Sequence, residues 1–133
     1  MLKKPLVIAA FAIIFLLCQG VAYFMTIQSL GTWCNEKYGI GFFGASPVFL
    51  LVEWGILGAL LVLSAQRTRG WAERSIFSII LAGGLSNALE RVIYGCVHDY
   101  WTMPLIGSHV NIADIVITAG VGGLLWIFLK QKE

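Results

Sequence analysis

Four apolar runs separated by short polar connections lay out this chain. Residues 5–26 carry no formal charge and follow Lys3 and Lys4. At about 1.5 Å rise per residue, a run of that length crosses a hydrocarbon core of about 30 Å. Residues 48–65 form the second run, with a charge only at Glu53, and Pro47 suits the first turn of a helix, where no amide hydrogen is required. The third run, 76–89, is shorter; its helix must take in residues 71–75, giving a span near 72–89, or end in a protein-lined recess. Residues 112–129 form the fourth run, closed by Lys130 and Lys132. The first run is too long for a signal-peptide core, no small-x-small site follows it, and the bulky Leu17 before Cys18 does not suit a lipobox. An uncleaved first span is therefore expected.

This pattern predicts an all-α membrane protein: one integral membrane domain over residues 1–133, folded as a four-transmembrane-helix antiparallel bundle. A small extended Gly-rich segment, within residues 28–46, is expected on the outer face, with Trp33, Tyr38, Phe42 and Phe43 suited to the interface. A chain that is 59% hydrophobic and 12% charged, with mean hydropathy +0.85, lies outside the range of soluble domains. Its net charge of +2, with no basic patch interleaved with aromatic residues, excludes nucleic acid as a partner. The placement of the charges says more. Lys3, Lys4, Arg67, Arg69, Arg74, Lys130 and Lys132 fall on the side shared by the termini, and only Lys37 and Arg91 fall on the other. Positive residues stay inside, so cytoplasmic termini are expected, with the Gly-rich segment and the loop bearing Asp99 outside. Gly55, Gly58, Gly83, Gly84, Gly120, Gly122 and Gly123 are expected to let helices approach closely. Cys34 and Cys96 share the outer face and could pair or remain apart, while Cys18 lies within the first span.

The candidate chemistry lies in residues 82–120. They hold both aspartates of the chain, Asp99 and Asp114, set between two apolar helical runs. Two carboxyl groups in a low-dielectric recess do not both ionise cheaply, so one keeps its proton while the other acts as base, enough to activate a water against a peptide carbonyl. Each residue also has a structural explanation. Asn111 and Asp114 could form a capping box, Asn87 and Arg91 could end the third helix, and Asp99 could be a solvated loop residue. Glu53, about one and a half turns into its span, needs a proton or a partner, for which Arg91 is the candidate. A metal site built from His98, Asp99, His109 and Asp114 is a competing reading, although no ligand spacing such as H-E-x-x-H is present. A non-catalytic small membrane protein is another.

The order of three motifs resembles one family. Asn87-Ala-Leu-Glu90-Arg91, Val97-His98-Asp99-Tyr100 and Asn111-Ile-Ala113-Asp114 are similar to the GN-x-x-DR, V-x-D-F and FN-x-AD motifs of lipoprotein signal peptidase (signal peptidase II). Ser86 and Glu90 stand where that family has glycine and aspartate. The resemblance implies a four-helix aspartyl protease of the bacterial inner membrane that cleaves the signal peptide of diacylglyceryl-modified prolipoproteins before the lipidated cysteine. It needs no metal and no cofactor, works as a monomer, and meets membrane lipid and the prolipoprotein as partners. It implies Asp99 and Asp114 as the catalytic pair and Asn87, Arg91 and Asn111 as polar support. In the outer N-x-G-x-x-F motif it implies Asn35, or Lys37 by strict spacing to Gly39. The family's D-Q-x-x-K-like stretch has no acid or lysine to match it in GVAYFMTIQSL.

Overall fold

A computed structural model describes residues 3–28, 30–36, 47–67, 70–105 and 107–130. Lys37, Tyr38, Gly39, Phe42 and Phe43 of the expected Gly-rich segment, together with Arg69 and Lys132, lie outside the described residues. Four helices carry the chain: α1 (Lys3–Ile27), α2 (Pro47–Arg67), α3 (Trp71–Tyr94) and α4 (Ile112–Lys130). Three stretches, Pro5–Ile27, Trp71–Tyr94 and Ile112–Lys130, are long and apolar enough to cross a membrane, and Pro47–Leu63 is a shorter apolar helix. The protein is a multi-span helical membrane protein.

α3 is the central element, packed against α1, α2 and α4. Two adjacent glycines on α3 bring different neighbours close. A Cβ on Gly83 would lie 2.9 Å from the carbonyl oxygen of Ala113 in α4, and one on Gly84 would lie 2.5 Å from Leu57 Cδ2 in α2. Both separations are below ordinary contact; at Gly83 the neighbour is fixed backbone, so α4 can seat there only without a side chain, whereas at Gly84 the tip of Leu57 would have to move. The expectation that Gly55, Gly58 and Gly122 also pack is corrected, because a Cβ on any of them meets nothing within 4 Å among the described residues.

α3 runs five residues beyond the third apolar run, so Asn87 lies within it and Arg91 stands in its last turn. Polar residues continue the helix because protein groups satisfy them: Glu90, for example, is 3% exposed and bonded to the segment that follows. The helix stops at Gly95, whose φ of 77° is left-handed and whose N–H donates to Arg91 O at 3.0 Å.

The connections contain strands that the sequence reading left as extended or loop segments. β1 (Trp33–Asn35) pairs antiparallel with β2 (Val97–Asp99), and β3 (Trp101–Met103) pairs with β4 (Ser108–Val110). The β1–β2 ladder joins the chain leaving α1 to the chain leaving α3. Burial is inverted relative to a soluble protein. Large apolar side chains such as Ile8, Leu51 and Trp126 are exposed along the helices, whereas Ser86, Asn87, Glu90, Asp99 and Asn111 are buried. Buried polar groups in such a protein require partners.

Candidate active site

The buried polar residues meet where α3 ends, β2 closes and α4 starts. Asp99 closes β2 and is 1% exposed, so it is not a solvated loop residue. Its Oδ1 accepts from Asn111 Nδ2 at 2.9 Å and its Oδ2 from Asn35 Nδ2 at 2.8 Å. Asn111 immediately precedes α4 and caps it: its Oδ1 accepts the Asp114 backbone N–H at 3.0 Å, and Asp114 Oδ2 accepts the Asn111 N–H at 3.3 Å. This is the capping box that the spacing allows. The same residues do more than cap. Asn111 Nδ2 also donates to Asn87 Oδ1 at 3.2 Å, and Asn87 Nδ2 donates to Asp114 Oδ1 at 2.8 Å. Asp99, Asn111, Asn87 and Asp114 thus form one continuous chain in which two amides join two carboxyl groups. An amide offers both donor and acceptor, so it can bridge the carboxyls without adding charge.

The surroundings of Asp99 disfavour its charged form. Burial pushes the Asp99 carboxyl up from the usual carboxylate range to about 6; the Asn35 hydrogen bond opposes this, Asp114 pushes in the same direction, and the Asn111 hydrogen bond and Arg91 oppose. Arg91 Nη1 lies 2.7 Å from Glu53 Oε1, and the two side chains are only 11% and 19% exposed. The carboxylate within the apolar helix α2 therefore has the partner expected for it.

His98 and His109 do not gather around the aspartates. His98 Nδ1 lies 3.0 Å from Glu90 Oε2, which also accepts the His98 backbone N–H at 2.9 Å. His109 stacks on Trp33 with ring centroids 4.0 Å apart, and its Nδ1 is 3.1 Å from Thr102 Oγ1. Among the described residues, no three His, Cys, Asp or Glu side chains converge on a point that could hold a metal ion. Cys34 and Cys96 are joined in a disulfide with Cα atoms 5.5 Å apart, which settles the alternatives that the sequence leaves open.

The sequence reading missed three contributors. Gln19 in α1 donates to Ser86 Oγ at 2.7 Å and to Ser86 O at 3.2 Å, fixing α1 against α3 one residue before Asn87. It lies just ahead of the GVAYFMTIQSL window, and as the lone amide side chain within residues 5–26 it was a visible signal. The Tyr100 hydroxyl accepts the Ile112 backbone N–H at 2.9 Å, satisfying a free donor at the start of α4; burial pushes that hydroxyl up to about 12. Glu90, noted in sequence only as a substitution, fastens β2 to α3.

Membrane-crossing helices thus carry, at one end, the buried Asp99 carboxyl joined through two amides to the partly buried carboxyl of Asp114. Two solved structures, each described as a bacterial membrane enzyme obtained by the in meso method, share this fold, with TM-scores of 0.87 and 0.82 at 21% and 20% identity. They cover 98% and 96% of this chain and 91% and 94% of theirs. The chain belongs to the signal peptidase (SPase) II family, Peptidase_A8, which it matches over residues 2–130. Proteins named lipoprotein signal peptidase are similar to it: that of Thermodesulfovibrio yellowstonii is 29% identical over 80% of this chain and 69% of its own length. Those of Methylobacterium sp. and Wolinella succinogenes are 32% and 39% identical, over 92% and 61% of this chain and 69% and 58% of theirs.

Proposed function

We propose that this protein is a lipoprotein signal peptidase that cuts diacylglyceryl-modified prolipoproteins just before the lipidated cysteine, with Asp99 and Asp114 as its catalytic pair. The observation that carries this is the amide chain Asp99–Asn111–Asn87–Asp114, which holds a buried and a partly buried carboxyl group in fixed relation. One carboxyl keeps a proton and the other is ionised. The ionised one takes a proton from water as the water oxygen bonds to the scissile carbonyl carbon, and the neutral one donates its proton to the carbonyl oxygen. The tetrahedral intermediate then collapses. Its C–N bond breaks, the amine of the lipidated cysteine leaves with a proton from the pair, and the signal peptide leaves as a carboxylic acid. Asn87, Asn111 and Asn35 aim the two carboxyls, and Arg91, held by Glu53, weakly favours the ionised form of Asp99. No residue in this sequence requires a metal or cofactor.

The finer layout belongs to the same proposal. α2 is the fourth span, its one internal charge paired with Arg91, so that residues 1–133 form one integral domain of four antiparallel helices, active as a monomer in the inner membrane. The termini are cytoplasmic and the site opens on the outer face. The seven-to-two split of basic residues supports that orientation, as does a disulfide near the site, since disulfides persist in oxidising compartments. Purified protein in detergent should cut a diacylglyceryl-modified prolipoprotein at the residue before the lipidated cysteine and leave the unmodified precursor intact. No cleavage of the modified form by correctly inserted protein would overturn the assignment.

A further inference from the structure

Asn35 reaches Asp99 from the end of a short strand. β1 is three residues long and, among the described residues, pairs with one strand, β2, in a register that sets Trp33 opposite Asp99 and Asn35 opposite Val97. Two-stranded ladders are marginal on their own, and this one is shorter than the usual strand. Trp33 gains a stack on His109. The stronger tie is covalent. Cys34, next to Asn35, is bonded to Cys96, which is 1% exposed and lies between the α3 cap at Gly95 and the first residue of β2. The bond bridges 62 residues of sequence, including all of α2 and α3. The donor and the acceptor of the Asn35 to Asp99 hydrogen bond therefore extend from the two sides of one crosslinked unit.

We propose that the Cys34–Cys96 disulfide is a positioning device for catalysis: it holds the Asn35 amide on Asp99, and breaking it lowers turnover through the loss of that one hydrogen bond. The inference rests on the assignment of Asp99 to the catalytic pair. A loose brace would leave Asn35 to find Asp99 from a mobile strand. Misplacement of about 1 Å at a reacting group can cost about 100-fold in rate. Asn35 donates to the ionised form of Asp99, so its loss also favours the protonated form. The acidic limb of the rate profile would then move to higher pH, an effect that general loss of folded protein does not produce.

The test compares wild type, Cys34→Ser/Cys96→Ser, Asn35→Ala and the triple variant, each purified in detergent and assayed on a diacylglyceryl-modified prolipoprotein across pH. The cysteine pair variant should lose about 10- to 100-fold in kcat, with the acidic limb moved up. Asn35→Ala should do the same, and adding the cysteine changes to it should cost little more, because coupled residues are not additive. Folded wild type treated with a dithiol is the second arm. The reductant closes to its own cyclic disulfide while Cys34 and Cys96 each gain a proton and an electron, and the same shift should follow and reverse on reoxidation. Unchanged kcat and limb without the bond would overturn the proposal, as would an equal further loss in the Asn35→Ala background. Cleavage by Asp99→Asn would sink the underlying assignment instead, whatever the cysteine variants do.

Discussion

Asp99 combines near-complete burial with two amide donors, and the pH behaviour follows from that pairing. Its carboxyl is pushed up to about 6, so cleavage should rise with pH through that region as the pair loses its first proton, then fall when the second is lost. A profile flat between pH 5 and 7 would contradict the shared-proton mechanism. The stability sign runs the other way. A carboxyl whose folded value lies above its unfolded value contributes stability that is fully present below about 3.8 and is lost as pH rises through about 6. Asp99→Asn and Asp114→Asn should each abolish turnover while the protein still inserts, which gel filtration in detergent beside the cleavage assay would check. Tyr100→Phe probes a neighbour. It leaves the Ile112 N–H without its partner and should cost about 1–3 kcal/mol, measured as a drop in thermal stability, with lower kcat because Tyr100 ties the Asp99 strand to the Asp114 helix. At this scale the sequence was informative for four motif residues: Asp99, Asp114, Asn87 and Asn111 all meet. The roles of Gln19 and the Tyr100 hydroxyl depend on contacts 67 and 12 residues away, which spacing alone does not disclose.

Among the elements, α3 has the greatest share of the work, because it contacts every other helix and supplies Asn87, Glu90 and Arg91 to one end. Its length was legible only in part. The apolar run stopped at residue 89, but the helix continued because Glu90 and Arg91 are paired within the protein. The strands were not legible at all, since three residues are too few to show alternation and their pairing is long-range. The Glu53–Arg91 contact was legible, because a charge inside an apolar run demands a partner and Arg91 was the candidate at that level. It allows a double-mutant cycle. Glu53→Gln and Arg91→Gln should each cost about 3–5 kcal/mol by stranding a buried charge, whereas the double variant should lose much less than the sum. Additive losses in detergent melts would show that the pair does not act as a unit.

The whole molecule has one polar end, and which side of the membrane that end faces decides whether a substrate anchored outside can reach it. Charge placement and the disulfide both favour the outer face. Cysteine labelling can test this, but the native cysteines are poor reporters: Cys34 and Cys96 are joined, and Cys18 is buried in α1. The turn between β3 and β4 supplies a better site. Leu105 is 94% exposed there, in a segment without acid, lysine or arginine, so a cysteine at that position should be free to react and leave the site intact. Gly70, which precedes α3 at the opposite end of that helix, supplies the control. In intact cells a membrane-impermeant maleimide should label Leu105→Cys, and should label Gly70→Cys only after the membrane is opened. The reverse pattern would place the paired carboxyls on the cytoplasmic side, away from any prolipoprotein anchored outside, and the proposed substrate would then have to be abandoned even if the chemistry of the pair survived.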